Sequence, residues 1–260
     1  MQTLLITGGS SGIGLATTSL FAERGWCVFE LSRHGQSRPG VTHIDCDVQD
    51  AQSVQQAVAA VLRQTDHIDV VISNAGFGIS GAVEFTDEQE AERQMDVNFM
   101  GAVRLTQAVL PQLRKQQRGR IIYTSSVAAI LAVPYQAFYS ASKAAINALA
   151  LALANELRDF GIRVSVMMPG DVSTGFTDAR AKSVAGEDVY RKVNKAVSSM
   201  ERDERAGMRP EQMARLFWHI ATCPNPRPQY VGGFSYRVLC LLERLLPKRL
   251  VNWIEYVVYD

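Results

Sequence analysis

Apolar and polar positions alternate along the chain in two periods. Gln2 to Thr7 is a short apolar run with branched residues, which predicts a strand buried on both faces. Gly8 ends it. From Gly12 to Arg24 the apolar residues Ile13, Ala16, Leu20 and Phe21 fall on one side of a helix, and Gly25 follows as a C-cap. Further strands are predicted at Cys27–Ser32, His43–Cys46, Val70–Ser73, Arg120–Thr124 and Arg163–Met168, the last stopped by Pro169. Helices are predicted at Ser53–Leu62, over the long stretch Glu88–Leu113, and at Tyr139–Phe160, closed by Gly161. This alternation means parallel strands joined by crossover helices. The expected fold is therefore α/β, a doubly wound parallel sheet flanked by helices, with ligands at the carboxyl ends of the strands.

No linker, repeat or low-complexity segment interrupts the pattern before residue 180. Residues 1–237 read as one catalytic domain. The polar stretch 175–210 reads as a mobile substrate lid, and 238–260 as an apolar helical tail.

Composition narrows the classes. A chain of 260 residues can bury a large core in one domain. Its net charge of +1 suggests no nucleic-acid partner. The cysteines Cys27, Cys46, Cys223 and Cys240 form no paired motif, so reduced thiols are expected. The histidines His34, His43, His67 and His219 lack metal-ligand spacing, so no metal site is expected. The first residues already form a strand, leaving no signal peptide, and no long uncharged apolar run could cross a membrane. A cytoplasmic protein is the expectation.

Glycines cluster where the first strand turns into the first helix: Thr7, Gly8, Gly9, Ser10, Ser11, Gly12, Ile13, Gly14. There they permit a tight turn and close approach of backbone to a pyrophosphate, facing a helix N-terminus with free N–H groups. Tyr139 and Lys143 stand four apart on a predicted helix and so share a face. Carbonyl reduction needs a proton donor at oxygen, and alcohol oxidation needs a base. A free phenol with a pKa of about 10 is a poor base, and lowering it by about 3 units takes roughly 4 kcal/mol. One cation about 4 Å away at an effective dielectric near 20 supplies that much. Lys143, helped by the positive charge of an oxidised nicotinamide, is the right kind of group for this, and the phenol is expected to become more acidic.

The spacing Thr-Gly-x-x-x-Gly-x-Gly, with Asn74-Ala75-Gly76, Asn98, Ser126, Tyr139-x-x-x-Lys143 and Pro169-Gly170 followed by Thr174, resembles the short-chain dehydrogenase/reductase family over most of the chain. The resemblance implies a Rossmann-like sheet and a nicotinamide cofactor. It implies Tyr139 as general acid/base, Lys143 on the cofactor ribose, Ser126 on the substrate oxygen, and Asn98 ordering a water that links the lysine to solvent. Ser126 is chosen over Ser125 because the family places its serine thirteen residues before the tyrosine. Gly8, Ser10, Ser11, Gly12, Ile13, Gly14, Asn74, Ala75 and Gly76 would line the cofactor. Asp47 and Val48 would flank the adenine. Pro169, Gly170, Val172 and Thr174 would hold the nicotinamide end. Ser73 departs from the family's usual Asn, which bears on rigidity more than on chemistry. The last ~40 residues match no general family motif.

By the same comparison, the position that carries an acid in NAD-binding relatives is Ser32, followed by Arg33. A guanidinium can hold a 2′-phosphate through charge-assisted bonds, so NADP(H) is expected. Glu30 sits mid-strand, too early for this role.

Specificity in such folds comes from loops over the strand ends. Ile130, Leu131, Val133, Pro134, Tyr135 and Phe138 suggest an apolar pocket wall. A bulky apolar ketone or alcohol such as a steroid, retinoid or long-chain oxo-lipid fits this wall. A 3-oxoacyl-thioester reductase is the alternative; it would want basic residues near the cleft, and sequence does not place Arg104 or Arg114 there. A non-catalytic redox regulator on the same fold is a further alternative, but such relatives usually lose the tyrosine or lysine. The tail, rich in leucine, aromatic and basic residues and broken at Pro247, could lie on a membrane surface, cap the cleft or pack on a partner subunit. The family expectation is a homodimer or homotetramer.

Overall fold

The computed structural model describes residues 1–183 and 185–259. β1 (Thr3–Thr7) is buried along its whole length. Its side chains alternate: Leu5 joins a core under α2 (Ala51–Leu62), α4 (Gly101–Gln116) and α5 (Ala137–Glu156), whereas Leu4 and Ile6 face α1 (Gly12–Glu23) and α7 (Pro210–Thr222). Each such buried aliphatic side chain contributes about 1.5–3 kcal/mol. The result is a sheet with helices on both faces.

The sheet's other strands are β2 (Cys27–Ser32), β3 (Val41–Asp45), β4 (Val70–Ser73), β6 (Gly119–Thr124), β7 (Ile162–Pro169) and β9 (Gln229–Gly232). Among the described residues, the sheet runs in the order β3-β2-β1-β4-β6-β7-β9 with every pairing parallel. The strand order reverses between β1 and β4, so a crevice opens at their carboxyl ends.

Several boundaries differ from the sequence expectation. β3 starts at buried Val41 and ends at Asp45, not at His43 and Cys46. α2 starts at Ala51 because the Asp50 carboxylate accepts the Gln52 N–H at 2.8 Å. The long predicted helix is three pieces: α3 (Glu88–Met95), a π-helical turn Asp96–Met100, and α4. α5 begins two residues before Tyr139 and ends at Glu156, with a 3-10 turn carrying the chain to Gly161 at φ +66°. α5 is long and apolar enough to cross a membrane by length and composition, but Ile146, Ala150 and Leu153 pack it on the sheet.

β9 was not anticipated, nor was the small parallel pair of β5 (Ile79–Ser80) with β8 (Ala181–Lys182). These short pieces carry no periodic signal of their own. α6 (Val193–Arg205) turns Val193, Ala196, Val197 and Met200 inward. After β9 come α8 (Phe234–Leu245) and α9 (Lys248–Val258), joined at Pro247. All four cysteines are free, Cys46 and Cys240 buried and Cys27 and Cys223 partly so.

Candidate active site

The glycine turn is packed to contact. Gly8 and Gly12 have φ of +66° and +49°, where a side chain would be strained. A Cβ on Gly14 would stand 2.0 Å from the Gly8 carbonyl oxygen. Asn74 fixes the turn from the neighbouring strand: its Nδ2 donates to the Gly8 carbonyl at 3.0 Å, and its Oδ1 accepts from Thr124 Oγ1 at 3.1 Å. Thr7 Oγ1 accepts the N–H groups of Asn74 and Ala75 at 3.1 and 3.2 Å. The ends of β1, β4 and β6 are thus tied together. Ser11 is the N-cap of α1 but makes no side-chain cap bond, so no side-chain acceptor from the cap is set against the helix's first-turn N–H groups.

A dinucleotide fits this end of the sheet. The cradle admits backbone and phosphate but no Cβ. Beyond it the Ser32 hydroxyl is buried without a hydrogen-bond partner among the described residues. Arg33 beside it is exposed and makes no ion pair among them. Arg38, by contrast, is held on α1 by Thr18 and Ser19. Glu30 is buried under Gly9 and bonded to His43 Nδ1 at 2.5 Å, so its carboxylate is committed elsewhere.

Gly8, Ser11, Gly12, Ile13, Asn74, Ala75, Gly76, Ser126, Tyr139, Lys143, Pro169, Gly170, Val172 and Thr174 line one cavity of about 570 Å³. Ser10, Gly14, Arg33, Asp47, Val48 and Asn98 do not line it. Gly14 is behind the turn. Asp47 accepts the Gln49 N–H at 3.0 Å, and the Val48 carbonyl accepts from Arg104 at 3.0 Å.

Both serines border the cavity, but the buried Ser125 hydroxyl is committed to the Lys143 carbonyl at 2.9 Å, whereas Ser126 hydrogen-bonds Tyr139. Lys143 Nζ donates to the Thr124 carbonyl at 2.9 Å and lies 5.7 Å from the centre of the Tyr139 ring. Burial lowers this lysine to about 8. The Tyr139 phenol is pushed up to about 12, chiefly by burial, with Ser126 lowering it, Glu204 and Asp171 raising it and Arg180 lowering it. Burial of the phenol thus acts against the acidification expected from Lys143 and a bound oxidised nicotinamide.

Asn98 sits in the π-helical turn, not inside a regular helix. That turn aims its amide at the chain after Gly76: Oδ1 accepts the Phe77 N–H, and Nδ2 donates to the Phe77 carbonyl, both at 3.0 Å. Nδ2 also donates to Ser142 Oγ at 3.1 Å. A Cβ at Gly76 would lie 3.0 Å from Asn98 Oδ1 and 3.5 Å from Lys143 Nζ, so Gly76 separates the two groups.

The substrate side differs from expectation. Of the predicted apolar wall, Leu131 and Val133 line this cavity, while Ile130, Pro134, Tyr135 and Phe138 do not. The roof instead comes from α8 and α9 through Leu239, Leu242, Leu246, Val251, Ile254 and Val258. Asp171, Asp203, Glu204, Glu243 and Glu255 also line it, and sequence reasoning missed all five. Asp203 and Glu204 read in sequence as a solvated face of α6, and Asp171, Glu243 and Glu255 carry no mark of the cavity. In the stretch expected to be a lid, Glu204 is ion-paired with Arg180 and accepts from Thr177 Oγ1 at 2.7 Å. Asp171 accepts from the Tyr236 hydroxyl, and burial raises its pKa.

A glycine cradle at the sheet's switch point, beside a serine, a tyrosine and a lysine in one cavity, defines a nicotinamide-dependent oxidoreductase of carbonyl and alcohol groups. The sequence profile of short chain dehydrogenases matches residues 2–185, and the chain belongs to that family. It is similar to a 3-ketodihydrosphingosine reductase of Bacteroides thetaiotaomicron, 40% identical over 99% of this chain and 98% of that protein. It is also similar to a 3-oxoacyl acyl-carrier-protein reductase of Mycobacterium tuberculosis, 32% identical over 68% of this chain and 72% of that protein. A solved short-chain dehydrogenase from Streptomyces avermitilis superposes with a TM-score of 0.85 at 28% identity, covering 98% of this chain and 97% of that one.

Proposed function

We propose that the chain reduces the ketone of a long-chain amino lipid, of the 3-ketodihydrosphingosine kind, with NADPH. The observation that carries this reading is the cavity itself: Tyr139 lies in a chamber whose roof, α8 and α9, is lined with aliphatic side chains. An alkyl chain fits such a roof. The ionisable lining is mostly acidic. Arg180 and Lys248 pair with Glu204 and Glu243, which leaves Asp171, Asp203 and Glu255 in excess, with Lys143 the one cation among the described lining residues. That balance favours an ammonium-bearing ketone over a phosphate-bearing thioester. Arg104 and Arg114 engage Asp96 and Phe160 instead, away from the cavity. The likeness to the Bacteroides reductase points the same way.

When bound, the reduced nicotinamide supplies hydride to the carbonyl carbon. Tyr139 donates its phenolic proton to the carbonyl oxygen, and a phenol held near 12 keeps that proton at neutral pH. The Ser126 hydroxyl bonds the same oxygen as charge develops on it. Lys143, anchored on Thr124, would hold the ribose hydroxyls, and a water beside Gly76 and Asn98 would return the proton. Thr174 would hold the carboxamide. Arg33 and the Ser32 hydroxyl would hold a 2′-phosphate, which would make NADPH the preferred donor.

The test is NADPH oxidation with 3-ketodihydrosphingosine, its N-acetyl derivative and a 3-oxoacyl thioester of equal chain length. The free amine should give a kcat/KM roughly tenfold or more above the others, the gain expected from one well-placed charge pair. Equal or faster turnover of the thioester overturns the substrate reading. Failure to oxidise NADPH with any carbonyl overturns the enzymatic one.

A further inference from the structure

We propose that the α8–α9 hairpin docks the protein on a lipid surface carrying negative charge. The two helices are apolar on both sides. Inward they roof the cavity. Outward, Phe234, Leu241, Leu245, Trp253 and Val257 are 80%, 56%, 72%, 60% and 50% exposed, although all are large apolar residues. Singly exposed apolar residues are ordinary, but five on one short hairpin form a patch that calls for a partner.

Charge selects the partner. Between Phe234 and Tyr259 both acids, Glu243 and Glu255, turn toward the cavity. Arg237, Arg244 and Arg249 are exposed, and Lys248, also exposed, is paired with Glu243. The outward surface is therefore apolar and of one sign. A second copy of the chain set symmetrically on this face would oppose cations to cations, which costs affinity. An anionic headgroup layer complements both the apolar and the basic parts, and exposed Trp253 suits the boundary between them. Because the same helices line the cavity, a lipid could pass from the bilayer to Tyr139 without crossing bulk water. The docking itself does not depend on which substrate is turned over.

The experiment is flotation of the full chain with phosphatidylcholine vesicles, with and without phosphatidylglycerol, at low and high salt. The variants are Leu245→Glu with Trp253→Glu, and separately Arg244→Gln with Arg249→Gln, none of which lines the active-site cavity. The wild type should float with the anionic vesicles and lose binding in salt. Each double variant should bind roughly tenfold or more weakly, with NADPH binding and molecular mass by light scattering unchanged. No flotation with anionic vesicles, or equal flotation by the Glu variant, overturns the proposal. A fall in molecular mass of the Glu variant with unaltered flotation also overturns it and marks the face as a subunit contact.

Discussion

The Lys143 ammonium nitrogen lies 5.7 Å from the centre of the Tyr139 ring, one helical turn along α5. The pair shares a face, yet its electrostatics are set by burial. The lysine falls to about 8 and the phenol rises to about 12. A phenol that keeps its proton beside a lysine still mostly charged at neutral pH suits donation to a carbonyl.

Lys143→Met should abolish turnover and stabilise the protein. A depression from 10.5 to about 8 corresponds to a cost of roughly 3 kcal/mol at pH 7. Losing the bond to the Thr124 carbonyl returns about 1 kcal/mol. Thermal denaturation at pH 7 should show the variant unfolding roughly 5 °C higher. Below about 8 the folded wild type bears the full cost of a buried charge. Between there and 10.5 the unfolded chain keeps a proton that the folded one releases, so wild-type stability gains with pH and the gap should close. A variant less stable than wild type at pH 7 would contradict this account.

The pH profile follows from the same group. The value of kcat/KM for NADPH reports the free protein's ionisations. If the protonated lysine is needed to hold the ribose, this value should be level at low pH and fall as pH rises through about 8. A profile flat to pH 10 would remove Lys143 from cofactor binding.

Arg33 stands exposed beside the Ser32 hydroxyl, which has no hydrogen-bond partner among the described residues. Arg33→Asp should lower kcat/KM for NADPH by about 10²-fold while leaving that for NADH similar or higher, as loss of a charge-assisted pair and gain of a like charge imply. Equal use of both cofactors by the unaltered protein would contradict the assignment.

Gly14→Ala should be damaging although its φ is ordinary. The new Cβ would meet the Gly8 carbonyl oxygen at 2.0 Å and Asn74 Nδ2 at 2.8 Å, and the first of these is backbone that cannot step aside cheaply. A loss of about 1–3 kcal/mol in unfolding free energy is expected, with NADPH affinity down roughly tenfold. Fluorescence titration and denaturant unfolding measure both. Wild-type values would mean that the turn is looser than described.

The sheet and its site were legible to different depths. The strand–glycine–helix pattern around Gly8 to Gly14, and the spacing of Ser126, Tyr139 and Lys143, locate residues that the fold gathers into one cavity, because turns and helix faces follow directly from short-range rules. Asn98 was placed on a helix, but the π-helical turn that aims its amide at Phe77 has no sequence mark. β9 is four residues without alternation. The acids Asp203 and Glu204 look like a solvated helix face until α6 is packed, and the orientation of α8 and α9 depends on contacts far away in the chain. The opposing effect of burial on Tyr139 was hidden for the same reason: a charge four residues away is visible in sequence, whereas desolvation is not.

The most direct test is the single-turnover rate of ketone reduction by Tyr139→Phe with NADPH prebound. If the phenol is the proton donor, the rate should fall by about 10²–10⁴-fold while the NADPH dissociation constant stays within roughly threefold of wild type, since the ring and its neighbours are kept. A variant that transfers hydride at nearly the wild-type rate would show that the proton reaches the carbonyl oxygen from another group.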